Sequence, residues 1–466
     1  MNESFQRKED HIDLCHTGDV GFKSHQGLFD QVTLIHNALP ELAMDEIQLE
    51  TKLIASTLAA PVMMTGMTGG PERAGVINRD LAVVAESLGI AFGVGSQRVL
   101  LKAPEAAATF DVRRHAPNVV LIGNIGVNQA RHHGVEAVRD LMDRIDANYL
   151  AIHLNAAMEL VQPGAEADSD FRDGYDTIAR LVDALDGKVL VKECGSGLSP
   201  QVVKRLDAIG VQAMDVSGSG GTSWVKVEAL RAAGELAALG DTFAEWGIPT
   251  IAATTLARRV TTSTIIASGG IDNGLKAGIA LAMGADIVGA ARPVLQAYLD
   301  GGVEGASAWL NTLIKGIRMT IALTGARSVA ELRRSPRIIG PELDRWIDQG
   351  ALDEPMRSPA STRAEVPLRF EDLERQSPGT IQTVLQHVEM QTLVTSLTGV
   401  HQDFEAKILG SMSDQAGHTM KTKLGLSNAV PKRLVDEARH QVSQLMRALE
   451  AGRTVSFVRE ERTSVR

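Results

Sequence analysis

The segment His153–Glu159, with the sequence HLNAAME, carries an imidazole, an amide and a carboxylate in close succession at His153, Asn155 and Glu159. It directly follows the apolar run Tyr149–Ile152, which has the length and composition of a short buried strand. Side chains with acid–base and metal-binding capacity at the end of a strand favour a functional site. The alternative is a loop in which Asn155 caps a helix and His153 has an ordinary packing role.

Seven other apolar runs of strand length occur in the chain, and segments with helical periodicity separate them. With Tyr149–Ile152 the full set of eight runs is Ala60–Met64, Ile90–Val94, Val119–Ile122, Tyr149–Ile152, Val189–Val191, Ala213–Val216, Thr264–Ala267 and Ile287–Val288. The helical segments include Val76–Leu88, Val135–Ile145, Tyr175–Leu185, Pro200–Ile209, Val225–Leu239 and Gly274–Met283. Eight strand–helix units in about 250 residues predict a (β/α)8 barrel. A doubly wound sheet is the structural alternative, because periodicity does not give strand order.

Glycines and polar residues follow these strands, and in a barrel all such loops lie on one face, where barrel active sites are built. The loops after the last two strands contain Gly269–Gly270 and Gly289–Ala290, whose backbone N–H groups could bind a phosphate. Gly218–Thr222 could add hydroxyl and amide donors. Lys192, at the end of the fifth strand, must face an electron-rich cofactor edge or a carboxylate if it is buried. We therefore predict a phosphate-bearing redox cofactor, with FMN as the natural candidate.

The composition is that of a globular protein, with 466 residues, a mean hydropathy of -0.01 and a net charge of -10. The length allows two or three domains. The negative charge excludes a general attraction to nucleic acid or anionic membranes. Cys15 and Cys194 form no disulfide framework and fit a reducing compartment. The sequence has neither a signal-peptide core nor an apolar run of roughly 20 residues, so we expect a soluble, cytoplasmic protein without a membrane span.

Residues 1–58 lack a clear period and are predicted to be irregular. Their informative part is Arg7, Lys8 and His11, near the start of the chain. Such a cluster is commonly a solvated group of charges. The functional alternative is an arm that folds over a site and brings cations to an anionic substrate.

Taken together, the motifs resemble the type 2 isopentenyl-diphosphate isomerases, which are FMN-dependent (β/α)8 barrels. The resemblance covers roughly residues 5–345. It rests on Arg7–Lys8 with His11, MTGG at Met67–Gly70, GSQR at Gly95–Arg98, HLN at His153–Asn155, Glu159, VKE at Val191–Glu193, SGSGGTSW at Ser217–Trp224 and SGGI at Ser268–Ile271.

This resemblance implies interconversion of isopentenyl and dimethylallyl diphosphate on reduced FMN, with NADPH as reductant, Mg²⁺ on the diphosphate and a homo-oligomeric protein. The positions that it implies for flavin contact are Met67, Thr68, Gly69, Ser96, Asn124, Lys192, Ser217, Thr222, Gly269, Gly270, Gly289 and Ala290. Those that it implies for the substrate are Arg7, Lys8, His11, Arg98, His153, Asn155 and Trp224, with Glu159 as the metal ligand and His153 and Asn155 in catalytic positions. A diphosphate needs several cations and a hard metal ion held by oxygen ligands, so the residue types agree with this chemistry.

Met158 departs from the family pattern, because the family has at this position a glutamine that is proposed to transfer a proton. A thioether has no proton to donate and is a weak acceptor. Three hypotheses follow. In the first, which the sequence favours, the reduced flavin carries the proton and Met158 shapes the pocket. In the second, another residue or a water substitutes, and in the third the protein has lost or changed its activity.

Other flavin and barrel families fit less well. Hydroxy-acid oxidases need a histidine near strand seven, but none lies between His153 and His387. Inosine monophosphate dehydrogenases use a loop cysteine as a nucleophile, and Cys194 lies in the VKE-Cys-Gly stretch without that family's loop pattern. We predict that Cys194 is a packing residue or a neighbour of the flavin.

The strand–helix pattern stops after residue 350. Residues 351–366 are rich in proline, serine and charge and are predicted to be a linker, and residues 367–460 are predicted to form an all-α domain. The helical segments are Ile381–His387, Gln391–Leu397, Phe404–Met412, Gln415–Leu424 and Arg433–Leu449. With FEDL at Phe370–Leu373, they resemble the C-terminal domain of the flagellar motor switch protein FliG. At the positions where that protein carries an arginine and an acidic pair, this chain has Gln415, Thr422 and Lys423, so we expect docking of a protein partner rather than torque transmission.

Overall fold

The computed structural model describes residues 3–164, 167–350, 370–425 and 430–451. The chain divides into two compact units, Met1–Asp353 and Glu354–Arg466. The predicted linker, residues 351–366, lies outside the described residues. Within the described residues, no helix combines the length and apolar character that crossing a membrane requires.

The first unit is a closed barrel of eight parallel strands. Numbered one to eight, they are Val62–Met64, Ala91–Gly93, Val120–Gly126, Tyr149–His153, Val189–Lys192, Ala213–Asp215, Thr264–Ser268 and Ile287–Ala290. Each strand pairs with the next, and strand eight closes on strand one through the pair Val288–Val62. The predicted barrel is confirmed, and the doubly wound alternative is excluded.

Helices surround the barrel and connect its strands. They are Glu72–Leu88, Val127–Asp143, Ala156–Glu159, Gly174–Ala184, Pro200–Ala208, Trp224–Arg231, Gly234–Thr242, Thr250–Val260, Gly274–Ala282, Arg292–Leu323, Val329–Leu332 and Pro341–Gln349. The prediction of a single helix over Val225–Leu239 was wrong. One helix ends at Arg231 and the next begins at Gly234, which has a φ of +62°. That left-handed conformation favours glycine and ends a right-handed helix.

Two pairs of short antiparallel strands lie outside the barrel. Val32–Leu34 pairs with Arg337–Ile339, and Thr51–Leu53 pairs with Ser56–Leu58. Short 3-10 helices complete the first unit at Gln26–Gln31, Met44–Glu46, Gln97–Leu101 and Pro104–Thr109.

The prediction that residues 1–58 are irregular was wrong for their first part, since Glu3–Thr17 forms a helix. Its sequence is mostly polar, so it shows little apolar periodicity. Ile12 and Cys15 are buried against the barrel, while much of the remaining attachment consists of ion pairs. A helix held in this way leaves a weak signal in its own sequence, because its stability comes from tertiary contacts.

Apolar side chains fill the barrel interior, and every strand contributes to this cluster. Its strand members are Met63, Ala91, Ile122, Tyr149, Ala151, Leu190, Ala213, Ile266 and Ile287. Leu53 and Leu58, from the second antiparallel pair, belong to the same cluster and are fully buried. The interior is therefore a packed core rather than a pore, and polar chemistry is left to the strand ends.

The second unit is all-α in its described part, as predicted. Its helices are Pro378–Leu385, Met390–Leu397, Gln402–Gly410, Asp414–Gly425 and Lys432–Ala451, preceded by the 3-10 helix Phe370–Arg375. The core includes Phe370 and Phe404, whose ring centroids are 5.4 Å apart, together with Ile381 and Met446. This unit therefore has a hydrophobic core of its own.

Candidate active site

Two cavities at the carboxyl ends of the barrel strands share part of their walls. The larger, of about 420 Å³, is called here the glycine-lined cavity, and the smaller, of about 120 Å³, the cation-lined cavity. The larger volume is in the range typical of small-molecule sites. The residues that line both cavities are Lys8, His11, Gly66, Met67, Lys192, Cys194 and Trp224. A ligand in one cavity would thus lie directly beside a ligand in the other.

The glycine-lined cavity is built from backbone as much as from side chains. Gly269 and Gly270 have φ angles of +102° and +85°. A Cβ atom on Gly269 would lie 2.1 Å from the carbonyl oxygen of Gly218, so only glycine fits there. The predicted cofactor residues that line this cavity are Met67, Thr68, Lys192, Ser217, Thr222, Gly269, Gly270, Gly289 and Ala290.

The long helix Arg292–Leu323 begins at the wall of the glycine-lined cavity, directly after strand eight. The N-terminus of a helix favours anions, because its N–H groups are unpaired and its dipole is positive there. The Arg292 side chain lines the same cavity and donates hydrogen bonds to the carbonyl oxygens of Cys15 and Gly18, at 2.8 and 2.7 Å. This wall therefore suits a phosphate group.

The cation-lined cavity collects the predicted substrate residues and four predicted flavin residues, Met67, Ser96, Asn124 and Lys192. The predicted residues that line it are Arg7, Lys8, His11, Met67, Ser96, Arg98, Asn124, His153, Asn155, Met158, Glu159, Lys192 and Trp224. Gly69 lines neither cavity. A Cβ atom there would lie 2.1 Å from the ring of Phe110, so packing against Phe110 accounts for this glycine.

His153 lies where strands three and four end side by side. Its Nδ1 atom is 2.8 Å from Asn124 Oδ1, and the Asn124 amide nitrogen donates to the Val94 carbonyl, so Nδ1 carries the hydrogen. Burial holds the pKa of His153 well below its usual value, and the cations Lys192, Lys8, Arg98 and Arg7 lower it further. The imidazole is therefore neutral near pH 7, and its Nε2 atom is an acceptor.

Glu159 is 7% exposed, and protein donors engage both of its carboxylate oxygens. The Asn155 amide donates to Oε1 at 2.8 Å, and the backbone N–H of Asp168 donates to Oε2 at 3.0 Å. Each oxygen keeps a second lone pair, so the carboxylate could still bind a metal ion. The Asn155 amide nitrogen also lies 3.9 Å from the Met158 sulfur, which places the thioether at the same wall.

The helix Glu3–Thr17 supplies Arg7, Lys8 and His11 to the site. His11 Nε2 lies 2.8 Å from Glu228 Oε1, and Arg231 donates to the other Glu228 oxygen at 2.6 Å. Burial lowers the pKa of His11 to about 4, so the ring is neutral and donates to the carboxylate. Burial alone would raise the pKa of Glu228, but the hydrogen bonds and charges of His11 and Arg231 outweigh it and lower that pKa.

Lys192 lines both cavities and is surrounded by acidic groups. Its Nζ donates to the Glu193 carbonyl at 2.5 Å and lies 3.6 Å from Cys194 Sγ. Burial disfavours the ammonium, but Cys194, Asp215 and Glu193 outweigh it, so the pKa of Lys192 lies above its ordinary value. Burial raises the pKa of the Cys194 thiol to about 11, which leaves it protonated and unsuited to nucleophilic attack.

Sequence reasoning missed several partners of these residues. Gln162 accepts a hydrogen bond from Arg7 at 2.9 Å, Glu228 binds His11 and is itself held by Arg231, and Asp215 is fully buried near Lys192. Most of these pairs are distant along the chain, so no local motif marks them. The one signal available in the sequence was Asp215, a carboxylate within the apolar run Ala213–Val216 of predicted strand six.

The residues present fit FMN and a single Mg²⁺ ion in different ways. For FMN, the glycine-lined cavity provides a bare-backbone wall, a helix N-terminus and the Lys192 cation. For Mg²⁺, the described residues contain no group of three or more His, Cys, Asp or Glu side chains that could enclose an ion. Proteins commonly bind Mg²⁺ through only one or two carboxylates, while substrate phosphates and waters complete the coordination shell. Glu159 could be such a carboxylate.

Fold and site together define a (β/α)8 barrel protein with a two-part pocket directed at anions. A family model described as FMN-dependent dehydrogenase matches residues 127–338, and one described as FliG C-terminal domain matches residues 360–456. A solved structure of a putative lactate oxidase from Pediococcus acidilactici has a TM-score of 0.53 at 14% identity, covering 72% of this chain and 94% of that chain. At this identity the likeness concerns the fold alone.

Two curated relatives are much more similar in sequence. The isopentenyl-diphosphate delta-isomerase of Ignicoccus hospitalis is 39% identical over 363 residues, which covers 76% of this chain and 99% of the relative. The enzyme of the same name from Pyrococcus furiosus is 41% identical over 352 residues, covering 74% and 89%. The chain belongs to the isopentenyl-diphosphate delta-isomerase family, and the family resemblance predicted from its motifs is confirmed.

Proposed function

We propose that this chain interconverts isopentenyl diphosphate and dimethylallyl diphosphate on FMN reduced by NADPH, with Mg²⁺ on the diphosphate. The observation that carries the proposal is the shared wall of the two cavities, where Lys8, Met67, Lys192 and Trp224 face both. A phosphate-bearing ring system in the glycine-lined cavity would lie against the carbon part of a diphosphate held in the cation-lined cavity. Bound in its reduced state, FMN would supply an electron-rich ring that stabilises positive charge on the substrate.

The diphosphate would be held by Arg7, Lys8 and Arg98, with Glu159 and Mg²⁺ on its far oxygens. His153 would add a donor, because the anion raises the pKa of the neutral imidazole and favours a proton on Nε2. Ionised partners make hydrogen bonds roughly twice as strong as neutral ones, which suits a small, highly charged ligand.

The hydrocarbon part of the substrate would face a less polar wall made by Met67, Met158 and Trp224. The Trp224 ring packs edge-on against His11, with centroids 5.1 Å apart, so the N-terminal helix and this wall form one unit. Such a wall limits water around a carbocation-like state, which water would otherwise capture.

The visible spectrum of the purified protein, with and without NADPH, tests the cofactor. A bound flavin that NADPH bleaches, together with turnover of isopentenyl diphosphate that depends on Mg²⁺, is the expected result. The same measurement on Met158→Gln shows whether the thioether limits the rate. A protein that binds FMN but has no turnover in either form would sink the isomerase proposal.

A second candidate function is a scaffold in which the helical unit, residues 367–460, docks a protein partner. Met158 favours it, as does the match of the tail to the FliG C-terminal domain. On the helix Asp414–Gly425, Gln415, Thr422 and Lys423 are exposed, so this surface is polar and carries a cation where the motor protein has acidic residues. Deletion of residues 351–466 distinguishes the two candidate functions of the helical unit, an independent docking module or a part of the enzyme. Unchanged FMN binding, turnover and oligomer size would make the tail an independent docking module, whereas lost turnover would tie it to the enzyme.

A further inference from the structure

A third, very small cavity lies beside the two main ones. Its volume is about 10 Å³, and its lining includes Asn155, Met158, Glu193, Cys194, Ser223 and Trp224. That volume is close to the minimum for a single water molecule, and the lining residues Glu193, Asn155 and Ser223 carry polar groups of the kind that such a water needs. Met158, Cys194 and Trp224 also line the cation-lined cavity, so the small cavity adjoins the proposed substrate site.

Glu193 is the carboxyl group of this small cavity and is 8% exposed. Its Oε2 atom accepts hydrogen bonds from the backbone N–H groups of Cys194 and Ser196, each at 2.5 Å. Burial raises the pKa of Glu193 to about 7, and the N–H donors and the Lys192 ammonium oppose that rise. The group can therefore hold or release a proton at neutral pH, as a general acid or base must.

The other charged and titratable groups near Glu193 come from strands five and six. They are Lys192 and Cys194 on its own strand end, and Asp215, whose carbonyl accepts the Glu193 backbone N–H at 3.2 Å. The elements that pack from the opposite sides contribute the uncharged residues Asn155 and Met158, and Ser223 and Trp224.

We propose that Glu193 stores the proton of the allylic shift and passes it to the substrate through one water in this small cavity. The inference rests on the isomerase function proposed above and gives a named residue to the hypothesis that another group or a water replaces the family glutamine. Because Glu193 acts through the water, it is a positioning residue rather than one that touches the substrate.

The proton balance closes without a further reactant. The carboxyl O–H bond breaks as the water relays a proton, and a C–H bond forms at the terminal methylene carbon of isopentenyl diphosphate. A C–H bond at C2 then breaks, its electron pair forms the new double bond, and the proton returns through the water to the carboxylate.

The variant Glu193→Gln tests the inference, with the exposed Glu136→Gln as a matched control. In the wild type, kcat for isopentenyl diphosphate is expected to fall as pH rises through about 7, because the acid must be protonated. Glu193→Gln is expected to lose about 100-fold in kcat, with KM and FMN affinity unchanged, and to lose this pH dependence. A pH profile of kcat in Glu193→Gln that matches the wild type would overturn the inference.

The outcomes separate this inference from the function on which it rests. Wild-type protein without turnover overturns both, whereas turnover that is equal in wild type and Glu193→Gln overturns this inference alone. If Glu193→Gln does not fold, Glu193→Asp carries the test. It keeps an acid and must retain the pH dependence at a lower kcat, and a flat profile would overturn the inference.

Discussion

The two cavities of the site differ in how they are built. The glycine-lined cavity relies on backbone shape, since Gly269 and Gly270 occupy conformations and spaces that side chains cannot. The cation-lined cavity relies on side chains such as Arg7 and Arg98, which come from separate parts of the chain. A site built from backbone tolerates little change at any one position, whereas a cluster of cations shares its task among several residues.

The variant Gly269→Ala disrupts the backbone wall of the glycine-lined cavity and is expected to have the largest effect. The new Cβ would lie 2.1 Å from the Gly218 carbonyl at a φ of +102°, a strained conformation that costs on the order of 1–3 kcal/mol before the clash is counted. We expect loss of FMN retention on gel filtration and a lower free energy of unfolding in urea. Gly301→Ala is the control, because nothing lies within 4 Å of its Cβ position. Equal FMN retention in both variants would contradict a backbone-built cradle.

The variant Arg98→Met tests the role of the cations in the cation-lined cavity. Loss of a hydrogen-bonding charge costs about 1.5–3 kcal/mol, so we expect KM for isopentenyl diphosphate to rise about 10- to 100-fold while FMN affinity stays the same. Arg144→Met, which removes an exposed arginine paired with Asp140, serves as the control for net charge. A loss of FMN comparable to that of Gly269→Ala would show that the two cavities do not act separately.

The variant Glu159→Gln tests whether Glu159 is the Mg²⁺ ligand in the cation-lined cavity. The amide keeps the shape of the carboxylate but removes its charge, so we expect the Mg²⁺ concentration for half-maximal turnover to rise about tenfold or more. Titration of turnover with Mg²⁺ measures this, with Glu136→Gln as the exposed control. An unchanged Mg²⁺ requirement would remove Glu159 from the metal site.

The pH dependence of stability tests how His11 holds the helix Glu3–Thr17, which contributes to the walls of both cavities. Burial lowers the pKa of His11 to about 4, whereas the unfolded side chain titrates near 6.5. The unfolded state therefore binds more protons between these values, and stability is expected to fall as pH decreases from about 6.5 towards 4. Each pKa unit corresponds to about 1.4 kcal/mol, and urea unfolding of wild type and His11→Gln across this range measures the difference. An equal slope in both proteins would contradict a buried neutral His11.

The sequence predicted the glycine-lined cavity more completely than the cation-lined cavity. Strand ends, glycine pairs and the barrel are local patterns, and Gly269, Gly270 and Lys192 lie where the pattern placed them. The N-terminal helix and the partners of its residues were not predicted. His11 and Glu228 are separated by 217 positions, and hydrogen bonds between residues so far apart in the chain leave no periodicity in the sequence.

The family resemblance supplies what local patterns do not, since it assigns Arg7, Lys8 and His11 to the substrate site. The structure brings these residues together with Arg98 and His153 at one cavity. Their roles in turnover remain predictions, as does the role of Met158.

The attachment of the N-terminal helix has a consequence for how the protein responds to salt. Arg73 holds Glu9 and Asp13, and Arg231 holds Asp10, so ion pairs from two different barrel helices fasten it. Most of these pairs are at least partly exposed and weaken as ionic strength rises. Salt would therefore act on diphosphate affinity twice, by screening the cations themselves and by loosening the helix that carries them. Affinity for the substrate should fall more steeply with salt than the number of its direct charge contacts requires.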